Sequence, residues 1–501
     1  MLSVHIDRLD SRCQTGTVLF CLLVTPTEGG TGTFSGRGVM GLIGVGIIGR
    51  ALRWGCVGGA MSFALVACAS YQPLPLQTHA HLKHKLSELA HSGVRIDQPL
   101  SVYDVAVLAV ENNPDLIATR TQRGVARAQV LEAGLLPNPS ISASYLFLLN
   151  PNPAGGVLFD AITATVTQDV QKTITMKSRL RTAQAAALQV DASILWEEWQ
   201  LIGKARLLVF DIVQLEKLRK SYMAFRDVLR DRFERGRRAL GQGNVTLATV
   251  APDLAAISDV QKSLNDTERD LDKNRHDLNA LLGLAPEVHV PLKTQLQVLQ
   301  VDAKAVMRAL EDLANRRPDL IALQLGYRSQ DEKFRGAIVG QFPALTFGPS
   351  YARDTSDVRS FGPQLTMDLP IFDRNQGNVS IEKATRDQLR AEFEARVSAA
   401  HSEVLAGLAA QRLISRQLEE ERAELPVLEG FARQAEAAMN AGNIDERAFV
   451  DLVSANYTKQ TAVLTLEQQL LEQEVAIATL IGAGMPRASM PTEAAYEELG
   501  L

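Results

Sequence analysis

Four histidines, His79, His81, His84 and His91, fall within a 13-residue window and make up half of the eight in the chain. Imidazoles crowded in this way can hold Zn, Cu or Ni. Their spacing suits neither one helical face nor a finger, so a polar linker is the plainer reading. A second pattern, Gly44-Val45-Gly46-Ile47-Ile48-Gly49, matches the G-x-G-x-x-G loop that cradles a dinucleotide pyrophosphate. That loop needs a strand before it, a helix after it and an acid roughly 20 residues on. Positions 65–72 contain no Asp or Glu, and a second apolar run follows the glycines, so no nucleotide is expected. Nothing from residue 69 to 501 can form a disulfide or a thiolate zinc site, because the four cysteines are Cys13, Cys21, Cys56 and Cys68. No nucleophile–base pair stands out, and a net charge of −5 offers no basic field for nucleic acid. The residues point away from an enzyme and towards a scaffold.

One cysteine does carry a specific chemistry. Arg50 and Arg53 precede an apolar run from Trp54 to Ala67 that ends Leu65-Val66-Ala67-Cys68. A basic flank and an apolar stretch of roughly 7–15 residues form a secretory signal. Its ending resembles the bacterial lipoprotein box, which implies that Cys68 is acylated and becomes the new N-terminus. Ala69 is not the Asp that retains many such proteins at the inner membrane. Residues 1–67 are thus expected to be leader, with the true start inside 1–49, and 68–99 a lipid-anchored linker.

Long elements must position whatever the body does. Aromatics are only 5% of the chain, while Ala, Leu, Gln, Glu and Arg crowd its middle and end, as in long helices buried along a stripe. The body repeats itself. Pro114-Asp115-Leu116-Ile117-Ala118 recurs as Pro318-Asp319-Leu320-Ile321-Ala322, 204 residues on. Thr167 and Asp169 recur as Thr366 and Asp368, Gly243-Asn244-Val245 as Gly442-Asn443-Ile444, and Leu281-Leu282-Gly283 as Leu480-Ile481-Gly482, each 199 on. A constant offset means segments of equal length, hence two copies of one unit, at 100–290 and 300–485, with a tail at 486–501.

Each copy changes pattern in the same order. Ser101 is a plausible N-cap, a helix restarts at Pro114, and Pro137-Asn138-Pro139 stops it. Ile141, Ala143, Tyr145 and Phe147 alternate, a Pro/Gly-rich turn spans Asn150 to Gly156, and Ile162, Ala164 and Val166 alternate again. Period-two runs about such a turn predict a β-hairpin over 139–170. Leu345 and Phe347, then Leu365, Met367 and Leu369, predict another over 343–369. Ile194, Leu201, Leu208, Leu215, Tyr222 and Leu229 are then spaced by sevens, the period of a supercoiled seam. Ala205, Ile212, Leu218 and Phe225 supply its second row imperfectly. Coiled-coil hairpins are expected over 176–283 and 376–482, with Tyr457, Leu464 and Leu471 by sevens on the second return arm. The fold class is mainly α with a β-barrel contribution. Four strands cannot close a barrel, but twelve from three chains can. After Cys68 no apolar stretch is long enough for a helical membrane span.

This order resembles the TolC family of outer-membrane efflux ducts, and the lipoprotein box places it near the lipoprotein branch. Asn112-Asn113-Pro114-Asp115-Leu116, Leu135-Leu136-Pro137-Asn138-Pro139, Asn279-Ala280-Leu281-Leu282-Gly283 and Leu369-Pro370-Ile371-Phe372-Asp373-Arg374 carry the likeness over about 100–485. One departure is Val170-Gln171-Lys172, where the second copy has Leu369-Pro370-Ile371. The resemblance implies a homotrimer with a 12-stranded barrel in the outer membrane and a 12-helix tunnel across the periplasm. It implies a periplasmic adaptor at the helical tips, here Gly243, Asn244, Gly442 and Asn443, and an inner-membrane pump beyond. Arg235, Arg237 and Arg238, just before the first tip, either meet the adaptor or complement a helix C-terminus. A tip carboxylate ring, also implied by the family, falls on Asp451, with Ala448 at its companion position. Such a ring would favour cations, although an exposed Asp on a helix reads as simply. The lipoprotein box and the corner motif are similar to those of heavy-metal members. Two rivals remain open at this point, a duct for secreted polypeptides and a coiled-coil spacer with no pore.

The intact mass of membrane-extracted protein should begin at an acylated Cys68. A mature chain retaining earlier residues would overturn the cleavage reading.

Overall fold

The computed structural model describes residues 71–149, 158–295, 302–485 and 488–491. The leader, Cys68, the Asn150–Gly156 turn and most of the C-terminal tail therefore lie outside the described residues. The chain divides into Met1–His79 and Ala80–Leu501. In the first unit residues 71–79 are exposed; everything below concerns the second.

Local chemistry accounts for its first helices. Ser101 and Asp104 form a reciprocal capping box that opens α1 (Val102–Asn112). The Asn113 side chain caps α2 (Pro114–Arg120), whose first residue is proline. The single helix expected after Pro114 is interrupted. Thr121 donates to Ala118 in a tighter turn, and α3 (Gln122–Gly134) begins after it.

Strands β1 (Ser140–Leu146) and β2 (Ala161–Asp169) form the first hairpin, as the alternation predicts. Its turn is not among the described residues. Helix α4 (Val170–Gly241) starts directly from the last residue of β2, six residues earlier than the spacing suggests. The missing proline explains this: Asp169 accepts from Lys172 N at 2.8 Å and caps the helix without a break. Helix α5 (Leu247–Leu282) returns.

The second copy comprises α6 (Ala303–Glu311), α7 (Leu313–Arg316), α8 (Pro318–Val339), β3 (Leu345–Arg353), β4 (Arg359–Met367), α9 (Gln376–Asn440) and α10 (Glu446–Ile481). Here Pro370 and left-handed Asn375 (φ 61°) keep strand and helix apart, and Leu369 falls beyond β4 rather than within it. All four strands join in one antiparallel sheet ordered β1-β2-β3-β4. At about 1.5 Å per residue, α4 runs about 108 Å.

Burial confirms the repeat at the level of packing. Ala205, Val209, Leu278 and Leu282 are buried in one core cluster, and Val404, Leu408, Ile477 and Ile481, each 199 later, occupy the same places in a second. A third cluster of Phe225, Leu229, Val260, Phe449, Val450 and Val453 ties all four long helices together nearer their tips, with Ala435 from α9. Along α4 the row of sevens holds, with Ile194, Leu208, Leu215 and Leu229 buried and Leu201 and Tyr222 half-buried. Of its second row, Ala205, Ile212 and Phe225 are buried and Leu218 is half-buried. Along α10 the row differs: Tyr457, Leu464 and Leu471 are only half-buried, and Val450, Val453 and Val463 fill the inside. The copies also differ at one node. Where the first has capping Asn113, the second has Arg317, wholly buried, paired to Asp319 at 2.8 Å and Glu403 at 3.4 Å and lying 4.7 Å over the Trp196 ring.

Gly482 and Gly442 both end helices in the left-handed region, at φ 69° and 70°. A Cβ on Gly482 would overlap Trp199, whereas one on Gly442 meets nothing within 4 Å. Gly442→Ala should therefore cost about 1–2 kcal/mol and Gly482→Ala about 2–5 kcal/mol. Thermal melts should rank wild type above G442A and G442A above G482A.

Candidate functional site

Strand alternation gives the sheet two chemically distinct faces. One carries Ile141, Tyr145, Val166, Phe347, Phe361 and Leu365, all largely exposed to solvent in the single chain. The other carries mostly hydroxyls and amides: Ser140, Ser142 and Ser144 on β1 face Thr167, Thr165 and Thr163 on β2. Ser350 on β3 and Gln364 on β4 continue this face. Thr165 bonds to Ser350 Oγ at 3.0 Å and donates to Gln364 Oε1 at 3.2 Å, so a contact reaches across three strands. Thr165 is 5% exposed while its neighbour Val166, on the apolar face, is 39% exposed. No charged residue stands on the hydroxyl face within the strands except Asp169, at the helix end of β2. The polar alternation was present in the same runs that identified the strands, yet sequence reading weighed only their apolar half.

The outer edges of β1 and β4 pair with no strand among the described residues. An apolar face outside, a hydroxyl face inside and two open edges are what a segment of a closed barrel presents.

At the opposite end of the long helices the two tips are built alike. Gly243 donates to Leu240 O and Asn244 to Ala239 O; Gly442 donates to Met439 O and Asn443 to Ala438 O. Both are Schellman turns that satisfy the last carbonyls. The Asp445 side chain then caps α10. The arginines before the first tip are engaged on their own helix. Arg235 pairs with Asp231 at 3.1 Å, Arg237 with Glu234 at 2.9 Å, and Arg238 donates to Glu234 O. Asp451 is exposed in the second turn of α10. Beside it lies the buried pair Arg232–Asp253, 3.0 Å apart, joining α4 to α5. Burial pushes the Asp253 carboxyl up, Arg232 opposes this, and the Asp451 charge adds to it.

Midway along the helices a polar cluster joins the two copies. Gln468 Nε2 on α10 donates to Asp211 Oδ1 on α4 at 3.1 Å and to Glu472 Oε1 at 3.0 Å. Burial, and then the Glu472 charge, push Asp211 up to about 6. His81, His84 and His91 are exposed, and among the described residues no three His, Cys, Asp or Glu side chains converge as a metal site.

Residues 309–483 match the family model described as outer membrane efflux protein. The chain is 24% identical over 249 residues to outer membrane protein OprJ of Pseudomonas aeruginosa, covering 47% of this chain and 51% of OprJ. It is 24% identical over 486 residues to the toluene efflux pump outer membrane protein TtgF of Pseudomonas putida, covering 86% of this chain and 97% of TtgF. The cation efflux system protein CusC of Escherichia coli K12 is 21% identical over 260 residues, 48% of this chain and 56% of CusC. The chain therefore spans about half the length of two of these curated relatives and nearly all of the third. A crystal structure of CusC superposes with a TM-score of 0.63 at 17% identity, covering 83% of this chain and all of that one, and so has the same fold.

Because the Asp211 carboxyl sits higher in the folded chain than in the unfolded one, its protonated form stabilises the fold. That contribution is full below the unfolded carboxylate range and is lost as pH rises through about 6. Asp211→Asn keeps the neutral form, so it should melt above wild type at about pH 8, and the gap should shrink by about pH 5. A constant gap across pH would remove Asp211 as the titrating group.

Proposed function

Because the chain belongs to the outer membrane efflux protein family, we propose that three copies close edge to edge into an exit duct across the bacterial outer membrane. The carrying observation is the four-stranded sheet with an apolar outer face, a hydroxyl inner face and two unpaired edges. Three such sheets give a barrel of twelve strands, a size that leaves an aqueous lumen. No described helix is long and apolar enough to cross a membrane, so the strands carry that task. Helices α4, α5, α9 and α10 extend the lumen into the periplasm as a tunnel wall.

The duct is passive. An inner-membrane pump supplies the energy, and a periplasmic adaptor meets the tips at Gly243-Asn244 and Gly442-Asn443. With Arg235, Arg237 and Arg238 paired along their own helix, the tip turns themselves are the better candidates for that contact. Cys68 is the proposed acylation site. Asp451, repeated threefold, would ring the narrow end with carboxylates and favour cations. The hydroxyl lumen above it does not sort solutes by charge, and the relatives' names span toluene and cation systems, so the duct itself assigns no substrate. A spacer without a pore has no use for such a sheet.

In a planar bilayer the purified protein should give discrete conducting steps, and Asp451→Ala should weaken cation preference measured across a salt gradient. Unchanged preference would remove Asp451 from the constriction. A monomer under the electron microscope would end the duct reading.

A further inference from the structure

The apolar surface does not stop where the strands stop. Leu135 and Leu136 before β1, Phe342 before β3, and Leu369, Ile371 and Phe372 after β4 are all exposed, Phe372 at 93%. All lie at the helix-side end of the sheet, because Ser140, Thr167, Leu345 and Met367 are the terminal paired residues there.

Height shows what such a continuation is for. The outer limit of the face is charged: Arg353 and Arg359 pair across β3 and β4 and bind Asp357 in the turn. From that level to Leu345–Met367, nine-residue strands rise about 20 Å at about 3.3 Å per residue and about 40° of tilt. The apolar band of an outer-membrane barrel is about 25 Å tall, leaving about 5 Å uncovered. Leu369 to Phe372 supply it, and Asp373-Arg374 follow at once, as a headgroup boundary requires.

Irregular backbone enters hydrocarbon only if its polar groups are satisfied within the protein. Here several of them are, most of them carbonyls. Ile371 N donates to Leu369 O at 2.8 Å, Pro370 has no N–H, and its carbonyl accepts from Arg374 Nε at 3.3 Å. Gln376 Nε2 donates to Phe372 O at 3.2 Å. The other two segments use the same device: Gln171 Nε2 donates to Phe342 O and Gln168 Nε2 to Pro137 O, each at 2.8 Å. Long polar side chains thus cap carbonyls that water would otherwise have to reach.

We propose that these three segments form a collar embedded in the phospholipid leaflet on the periplasmic side, setting the depth of the barrel independently of any lipid anchor. The proposal rests on the barrel reading and adds an interaction surface to it: the partner is acyl chain, not a second protein.

The test uses the full chain with its four native cysteines replaced by serine, so that no anchor contributes. Phe372→Cys, and separately Ile141→Cys on the apolar face of β1, would carry an environment-sensitive fluorophore in phosphatidylethanolamine/phosphatidylglycerol nanodiscs. Both labels should be quenched about twofold or more by phospholipid spin-labelled near its headgroup, and hardly by aqueous iodide. Lipid quenching at Ile141 with iodide quenching at Phe372 would overturn the collar and leave the barrel standing. Quenching by neither agent at Phe372 would mean that a second copy covers it, which also overturns the collar. Loss of lipid quenching at Ile141 would remove the barrel reading, and the collar with it.

Discussion

Backbone amides along the outer edges of β1 and β4 impose the constraint on which the other features depend. In hydrocarbon each unsatisfied N–H or C=O costs several kcal/mol, and a four-stranded sheet leaves two rows of them. Among the described residues there are two hairpins, whose strands lie side by side as β1-β2-β3-β4 and leave the sheet open. In the proposed duct, closure comes from further copies. That requirement explains why an apolar outer face and a hydroxyl inner face coexist on a sheet that, in isolation, would expose both.

The long helices answer a different demand. A helix about 108 Å long cannot be held by a single core, so burial is distributed over clusters midway along the long helices and a further one near the tips. The upper clusters are copies of one another at matched positions, whereas the lower one mixes residues from both copies and makes the four helices one body. At the level of the first of these clusters the seam between the copies is polar. Asp211 and Glu472 face each other across a shared Gln468 amide, trading packing for a titratable contact between the two repeats.

Departures from perfect repetition fall where the copies join other things. Arg317 stands where the first copy has Asn113, and it gathers Asp319, Glu403 and the Trp196 ring into one buried node. Such a buried cation is tolerable because its charge is paired on two sides. The strand-to-helix corners differ as well. Asp169 fuses β2 to α4 without a break, while Pro370 and Asn375 separate β4 from α9 and create the apolar segment beyond the sheet.

Much of this was legible in the chain alone. The equal offsets of 199 between Thr167 and Thr366, Gly243 and Gly442, and Leu282 and Ile481 determined two equal units. Period-two and period-seven spacing determined hairpins and long helices, because strand and helix faces repeat at those intervals. The Gly-Asn tips were readable because few other residues take the left-handed turn. What the linear pattern could not decide was which groups meet across elements. The Asp211–Gln468–Glu472 contact joins residues 257 apart, and the Thr165, Ser350 and Gln364 side chains meet across strands from both copies. The inward row on α10 went to Val450, Val453 and Val463 rather than to Tyr457, Leu464 and Leu471. Periodicity shows that a helix has an apolar stripe; only packing against three neighbouring helices decides which of two adjacent stripes is buried.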